Sequence, residues 1–338
     1  MTSSNKSIYP IQARENPVGW LPHERRAVRL FESLVTRYAG FINGLPEPIR
    51  SIAQSRSAYL GQPASAAFEG VASLNPVLAG TPWMFWEEFR GLDDERFITI
   101  AEAGTYWVLA SIVMDHIVDG QADPVGEVAL FHQILQSEGI RAFRSLFSQA
   151  SGFWGKFDAL ADRHARGLST ELSARTARRA VELDDLVMAA EGKVAPIVVT
   201  IAALTEAHRN QQLYDPIQNS LKNIAVASQL LDDVGDWRQD RKQGHATYFL
   251  QLLAPEDFGA FEVWPEMEQL EQINRARWQD VESLKSVAEW LDQSLEAVEG
   301  LQCTGWRQYI LDYLERTDRH LTAAIANHIA QKLRDLQH

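Results

Sequence analysis

A single cysteine, Cys303, occurs in 338 residues, so no internal disulfide can form and a reducing compartment is expected. Positive charge is also scarce: 32 Lys and Arg against 45 Asp and Glu give a formal net charge of −13. That deficit argues against a nucleic-acid binder, which carries a basic excess, and against a protein held on anionic lipid by a basic patch. The N-terminal stretch Met1 to Pro17 lacks a basic region followed by an apolar core, so no secretory signal is expected. No integral membrane segment is expected either: the longest apolar run, Val194 to Leu204, is short and interrupted by Pro196 and Thr200. The end of the chain, Lys332 to His338, has no lipidation box. An apolar content of 46% rules out a disordered chain. These features together predict a soluble, cytoplasmic protein.

Several chemistries lack their residues. No Cys/His cluster suggests zinc. No Glu-x-x-His pair supports a di-iron carboxylate bundle. No glycine-rich loop followed by Lys-Ser/Thr cradles a phosphate, and no Asp-x-Asp-x-Asn-Gly loop holds calcium. Alternating β-branched runs are nearly absent.

What the chain has is helical periodicity. Leu30, Leu34, Tyr38 and Phe41 fall on one helix face, and Gly44 with Pro46 closes that helix. The pattern predicts helices over 23–43, 48–59, 93–120, 125–138, 173–191, 196–209, 216–243, 266–299 and 305–336. The fold class is therefore all-α. Residues 1–22 read as a loosely attached N-terminal segment and 23–338 as one helical domain.

Two apolar helical runs end in aspartates. Tyr106 to Val113 leads into Asp115-His116-Ile117-Val118-Asp119, whose two carboxylates are four apart and share a face. Ile224 to Leu231 leads into Asp232, Asp236 and Asp240, again four apart, with Gln229 upstream on that face and Asp233 beside it. In a chain with 45 acidic residues, roughly one such triple arises from composition alone, as a solvated face. Two features favour chemistry instead. Both clusters close strongly apolar runs, and both use only Asp, a short carboxylate suited to hard divalent cations.

Two aspartate-rich helices 117 positions apart in an all-α chain resemble the class I isoprenoid synthase superfamily, which includes trans-prenyltransferases, squalene and phytoene synthases and class I terpene cyclases. Asp115 to Asp119 is similar to the family's first motif, with His116 where many members carry a second Asp. Gln229, Asp232, Asp236, Asp240 and Gly244 are similar to the second motif. The resemblance implies a single large helical bundle around a central apolar cavity. It implies three Mg²⁺ ions, held by Asp115 and Asp119 on one side and by Asp232, Asp236 and Asp240 on the other, that bind a prenyl diphosphate. Lys193, in a stretch like the prenyltransferase Lys-Thr motif with Val194 in place of Thr, is a candidate diphosphate partner. Arg238 and Lys242 after the second motif are others, as is Arg307, which lies with Tyr309 and Arg316 where cyclases carry an Arg-Tyr pair. Arg178 and Arg179 lie upstream of the triad, like the cyclases' diphosphate-sensing Arg but at a longer spacing.

Candidate pocket residues are Trp83, Trp86, Trp107, Ser111 and Gln229. Ser111 and Ala110, small where bulk shortens the pocket in resembling prenyltransferases, favour a substrate of C15 to C20 or longer, with Trp107 as floor. Chain-elongating relatives carry an Arg pair soon after the first motif. Here Gln121-Ala122-Asp123-Pro124 follow, and no Arg occurs before Arg141. The resemblance therefore points first to a Mg²⁺-dependent class I terpene synthase that ionises one linear prenyl diphosphate and cyclises or quenches the carbocation. The alternative is a prenyltransferase coupling two prenyl diphosphates, and a lesser alternative is a non-enzymatic helical interaction protein. A homodimer is compatible with either enzyme.

Overall fold

The computed structural model describes residues 21–57, 76–177, 180–254 and 265–336. Among them every regular element is helical. The α-helices are α1 (Arg25–Gly44), α2 (Ile49–Ser57), α3 (Pro76–Met84), α4 (Trp86–Phe89), α5 (Asp94–Val118), α6 (Val125–Leu146), α7 (Phe153–Ala177), α8 (Leu183–His208), α9 (Tyr214–Gln243), α10 (Tyr248–Leu252), α11 (Met267–Arg277), α12 (Gln279–Ala297) and α13 (Thr304–Asp335).

Two helices form the centre. From Phe97 to Val113, α5 is buried on nearly every face, as is α8 from Ala189 to Thr205. A helix apolar all round belongs in a core or a membrane. Both are long and apolar enough to cross a bilayer, yet 72% and 78% of their apolar windows are buried inside the bundle. They are core helices. Around them α8 packs against α7, α9 and α5, and α5 against α6 and α1. α9 packs against α12, which in turn carries α13, while α3 sits against α5, α8 and α13.

Local chemistry sets the ends of the site-bearing helices. The Asp93 carboxylate accepts from the Arg96 amide at 3.1 Å and caps α5. A reciprocal box between Glu182 and Asp185 starts α8. Gly120 and Gly244 follow α5 and α9 with φ of +69° and +75°, the left-handed conformation that glycine adopts without a Cβ clash.

Four departures from the periodicity have physical causes. The helix expected over 173–191 ends at Ala177, and the capped start at Leu183 begins a new one. α8 runs through Pro196 instead of beginning there, because its apolar faces are buried on both sides of the proline. The helix expected over 266–299 breaks at Trp278, whose φ is +53°, and Asn274 Oδ1 accepts from the Asp280 amide at 3.0 Å across the break. Most of α7, from Phe153 to Leu172, was not expected. Gly152, Gly155 and Gly167 weaken its helical signal. Residues 1–20 of the N-terminal segment, and Arg178 with Arg179, lie outside the described residues.

Gly167 has a packing reason. A Cβ built on Gly167 would lie 2.6 Å from the Cα of Gly192, and one on Gly192 equally close to Gly167. The α7 and α8 backbones therefore touch at these two residues. Gly167→Ala is expected to push the helices apart and lower unfolding free energy by about 1–3 kcal/mol, measured by urea denaturation. An unchanged midpoint would contradict this contact.

Candidate active site

A cavity of about 450 Å³ opens between α5, α7, α8, α9 and α13. Its polar end carries Asp115 from α5, Lys193 from α8, and Gln229 and Asp232 from α9. Its walls include Ile112, Leu168, Ile197 and Ile224. α5 supplies Ser111, Ile112 and Asp115 because those positions fall on one face of the helix. The structure thus brings five of the expected residues to one cavity: Asp115, Asp232, Lys193, Ser111 and Gln229.

Lys193 bridges α7 and α9. Its ammonium donates to Glu171 Oε1 at 2.7 Å and to Gln229 Oε1 at 2.8 Å. The Gln229 amide in turn donates to Asp233 Oδ1 at 3.0 Å. Burial works against the ammonium, but Glu171, Asp115 and Asp233 outweigh it and hold its pKa above the ordinary lysine value.

The aspartates are desolvated. Burial raises the pKa of Asp115, with Lys193 opposing and Asp119 adding to the rise. Burial and the neighbouring Asp236 raise that of Asp232, which meets solvent yet is ringed by protein. Burial raises that of Asp236 too, and its Oδ1 is buried without a hydrogen-bond partner. An orphaned carboxylate oxygen and three carboxylates short of compensating charge fit a divalent-cation site. Among the described residues no three Asp, Glu, His or Cys side chains are grouped so as to hold a metal ion by themselves. Asp119 follows the last turn of α5, and Asp240 lies 3.8 Å from His245 Nδ1; neither they nor Asp236 line the cavity.

Other expected residues are placed elsewhere. Trp83 is fully buried and donates to the Ala27 carbonyl at 3.1 Å between Phe31 and Phe97. Trp86 donates to Glu24 Oε2 at 2.8 Å. Both belong to the packing of α1 against α5 and are not cavity walls. Trp107 packs on Phe157 of α7. It lies eight residues before Asp115, about 80° around the helix, so it leaves the cavity face and forms no floor. Arg307 caps the preceding segment through the Val298 and Glu299 carbonyls. Arg238 pairs with Glu271 at 3.0 Å and covers the Trp237 ring, and Lys242 is exposed. None of these three cations lines the cavity.

The aromatic wall comes from α13 instead. Tyr309 and Tyr313 line the cavity with Arg316 and His320, and Tyr313 Oη donates to Ser228 Oγ at 3.1 Å. Tyr313 and His320 were missed, although Tyr309, Tyr313, Arg316 and His320 recur at three- and four-residue steps. His164 and Leu168 on α7 were missed because that part of the helix was not expected.

Asp233 faces away from the cavity lining and is buried, which pushes its pKa up to about 7. A carboxyl raised this way costs stability as pH climbs from its unfolded value near 4 through about 7, because only the folded state still holds the proton. Asp233→Asn is expected to match wild type in urea denaturation near pH 4 and to exceed it by roughly 2–4 kcal/mol at pH 8. Parallel stability curves across that range would contradict the burial of a carboxylate here.

No family model matches the sequence, and no curated protein matches it. Solved structures do. A polyprenyl synthase from Caulobacter crescentus CB15, complexed with calcium and isoprenyl diphosphate, superposes with a TM-score of 0.64 at 16% identity over 88% of this chain and 98% of that one. A geranylgeranyl pyrophosphate synthetase from the archaeon Geoglobus acetivorans gives 0.63 at 15%, over 87% and 98%. A geranylgeranyl pyrophosphate synthase from Corynebacterium glutamicum gives 0.62 at 14%, over 90% and 98%. At such identities the likeness is one of fold: the chain shares the all-α fold of these prenyl synthases.

Proposed function

We propose that this protein is a divalent-cation-dependent prenyltransferase: it ionises a linear allylic prenyl diphosphate of C15 to C20 or longer and joins the carbocation to a second isoprenoid substrate. This reverses the order of the two enzymatic readings taken from the sequence. The observation that carries it is the meeting of both acidic helices with Lys193 at the polar end of an apolar cavity, on a prenyl synthase fold.

Asp115 and Asp119 on α5, and Asp232, Asp236 and Asp240 on α9, are the residues that would hold the ions, with Mg²⁺, three in number, as the expectation. When bound, such ions neutralise the departing diphosphate and lower the barrier to C–O cleavage. Lys193, already held by Glu171 and Gln229, meets the diphosphate with little further ordering. The prenyl chain runs along Ile112, Leu168 and Ile197, which exclude water from the cation. Tyr309 and Tyr313 place ring faces where positive charge develops. The single buried Cys303 and the burial of both membrane-length helices support a soluble, cytoplasmic enzyme.

A one-substrate cyclase is the second reading. Gln121 to Pro124, in place of the paired arginines that bind a second diphosphate in chain-elongating relatives, favours it.

Incubation with Mg²⁺ and farnesyl or geranylgeranyl diphosphate, with and without isopentenyl diphosphate, separates the two. Product that requires the second substrate is expected; product from one substrate alone selects the cyclase. Asp115→Asn and Asp236→Asn are each expected to cut turnover roughly 100-fold or more while leaving the circular dichroism spectrum unchanged. Full activity in both variants would remove the metal assignment.

A further inference from the structure

His164 is tied down by a backbone defect. Within α8, Pro196 has no amide hydrogen, so the carbonyl of Gly192, four residues earlier, lacks its helical donor. His164 on α7 fills that gap: its Nδ1 lies 2.9 Å from the Gly192 oxygen. A carbonyl only accepts, so Nδ1 carries the proton. In the neutral ring Nε2 is then the bare nitrogen. The Gly167–Gly192 contact brings α7 close enough for this bond. The His164 ring lines the cavity, and no hydrogen bond engages Nε2 among the described residues. Its electrostatic neighbour on α6 is His132, an imidazole whose own pKa is lowered by burial and by His164. Seven residues along α7 from Glu171, His164 stands about 10 Å deeper than the helical position that pairs with Lys193.

We propose that His164 is the base that ends the reaction. This rests on the ionisation reading above. A hydrogen on the carbon next to the cationic centre leaves as a proton to Nε2. The C–H electron pair becomes the new C=C bond, the carbocation is discharged as a neutral olefin, and His164 becomes an imidazolium that returns its proton to water or to released diphosphate. Nothing else is consumed. The same step completes either a coupling or a cyclisation, so the assignment does not depend on which of the two the enzyme performs.

The test uses the full-length protein with Mg²⁺ and prenyl diphosphates. His164→Asn keeps a side-chain donor for the Gly192 carbonyl and removes Nε2. The ratio of proton-loss product to diphosphate released is expected to fall roughly 100-fold, with water-captured alcohol in its place. Pro196→Ala is the companion variant. It restores an amide donor to Gly192, frees Nδ1, and is expected to lower the same ratio by a smaller factor without removing the imidazole. Independently, ¹⁵N-histidine NMR of wild type at neutral pH, assigned with the His164→Asn spectrum, is expected to show His164 protonated on Nδ1 and bare on Nε2. An unchanged product ratio in His164→Asn, or a ring protonated on Nε2, overturns the base. Wild-type protein that releases no diphosphate overturns the ionisation reading and the base together.

Discussion

The site depends on one ammonium held among carboxylates at the polar end of the cavity. Lys193 is satisfied by Glu171 and Gln229, and through Gln229 it is coupled to Asp233. The pairing with Glu171 also has an electrostatic consequence. Burial outweighs the lysine's pull at Asp115 and Asp232, and Glu171 adds to the rise at Asp115, so both carboxyls keep raised pKa values beside a cation in the same cavity. The polar end is thereby left short of positive charge, the condition under which a divalent ion is held best.

Backbone chemistry decides which side chains reach that end. Gly167 and Gly192 let α7 and α8 touch, and this brings Glu171 to Lys193 and His164 to the Gly192 carbonyl. Pro196 supplies the vacancy that His164 occupies. These residues look unhelpful in a helix when judged by propensity alone. Their value is tertiary: each removes an atom that would otherwise block a contact, or removes a donor that another helix then replaces.

The sequence made the two acidic helices legible because their features are local. Four-residue spacing fixes a face, and Gly120 and Gly244 mark the ends where φ turns positive. Ser111 and Gln229 were legible for the same reason, each within a turn of an aspartate. The tryptophans were not. Trp83, Trp86 and Trp107 read as cavity walls from their size, but a large aromatic is drawn equally by a core, and the Trp83 indole found a carbonyl on α1. The break at Trp278 and most of α7 escaped as well. One depends on the Asn274 side chain bridging to Asp280, the other on Gly167, whose purpose appears only when α8 is beside it.

Charge balance also bears on coupling against cyclisation. One diphosphate can be met by ions on the two acidic helices together with Lys193. A second brings further negative charge, and the segment after Asp119 answers with Asp123 and no arginine. The other cation that lines the cavity is Arg316 on α13, over the Tyr313 ring at 4.4 Å; burial, Arg316 and Arg319 favour the neutral form of His320, one turn further on. On the coupling reading, a second diphosphate would therefore have to be met by Arg316 of α13. If the acceptor carries no diphosphate, that demand disappears, and the cavity needs only an apolar acceptor beside Tyr309 and Tyr313. The identity of the second substrate thus turns on how much negative charge α13 can meet, more than on the aspartate motifs that both readings share.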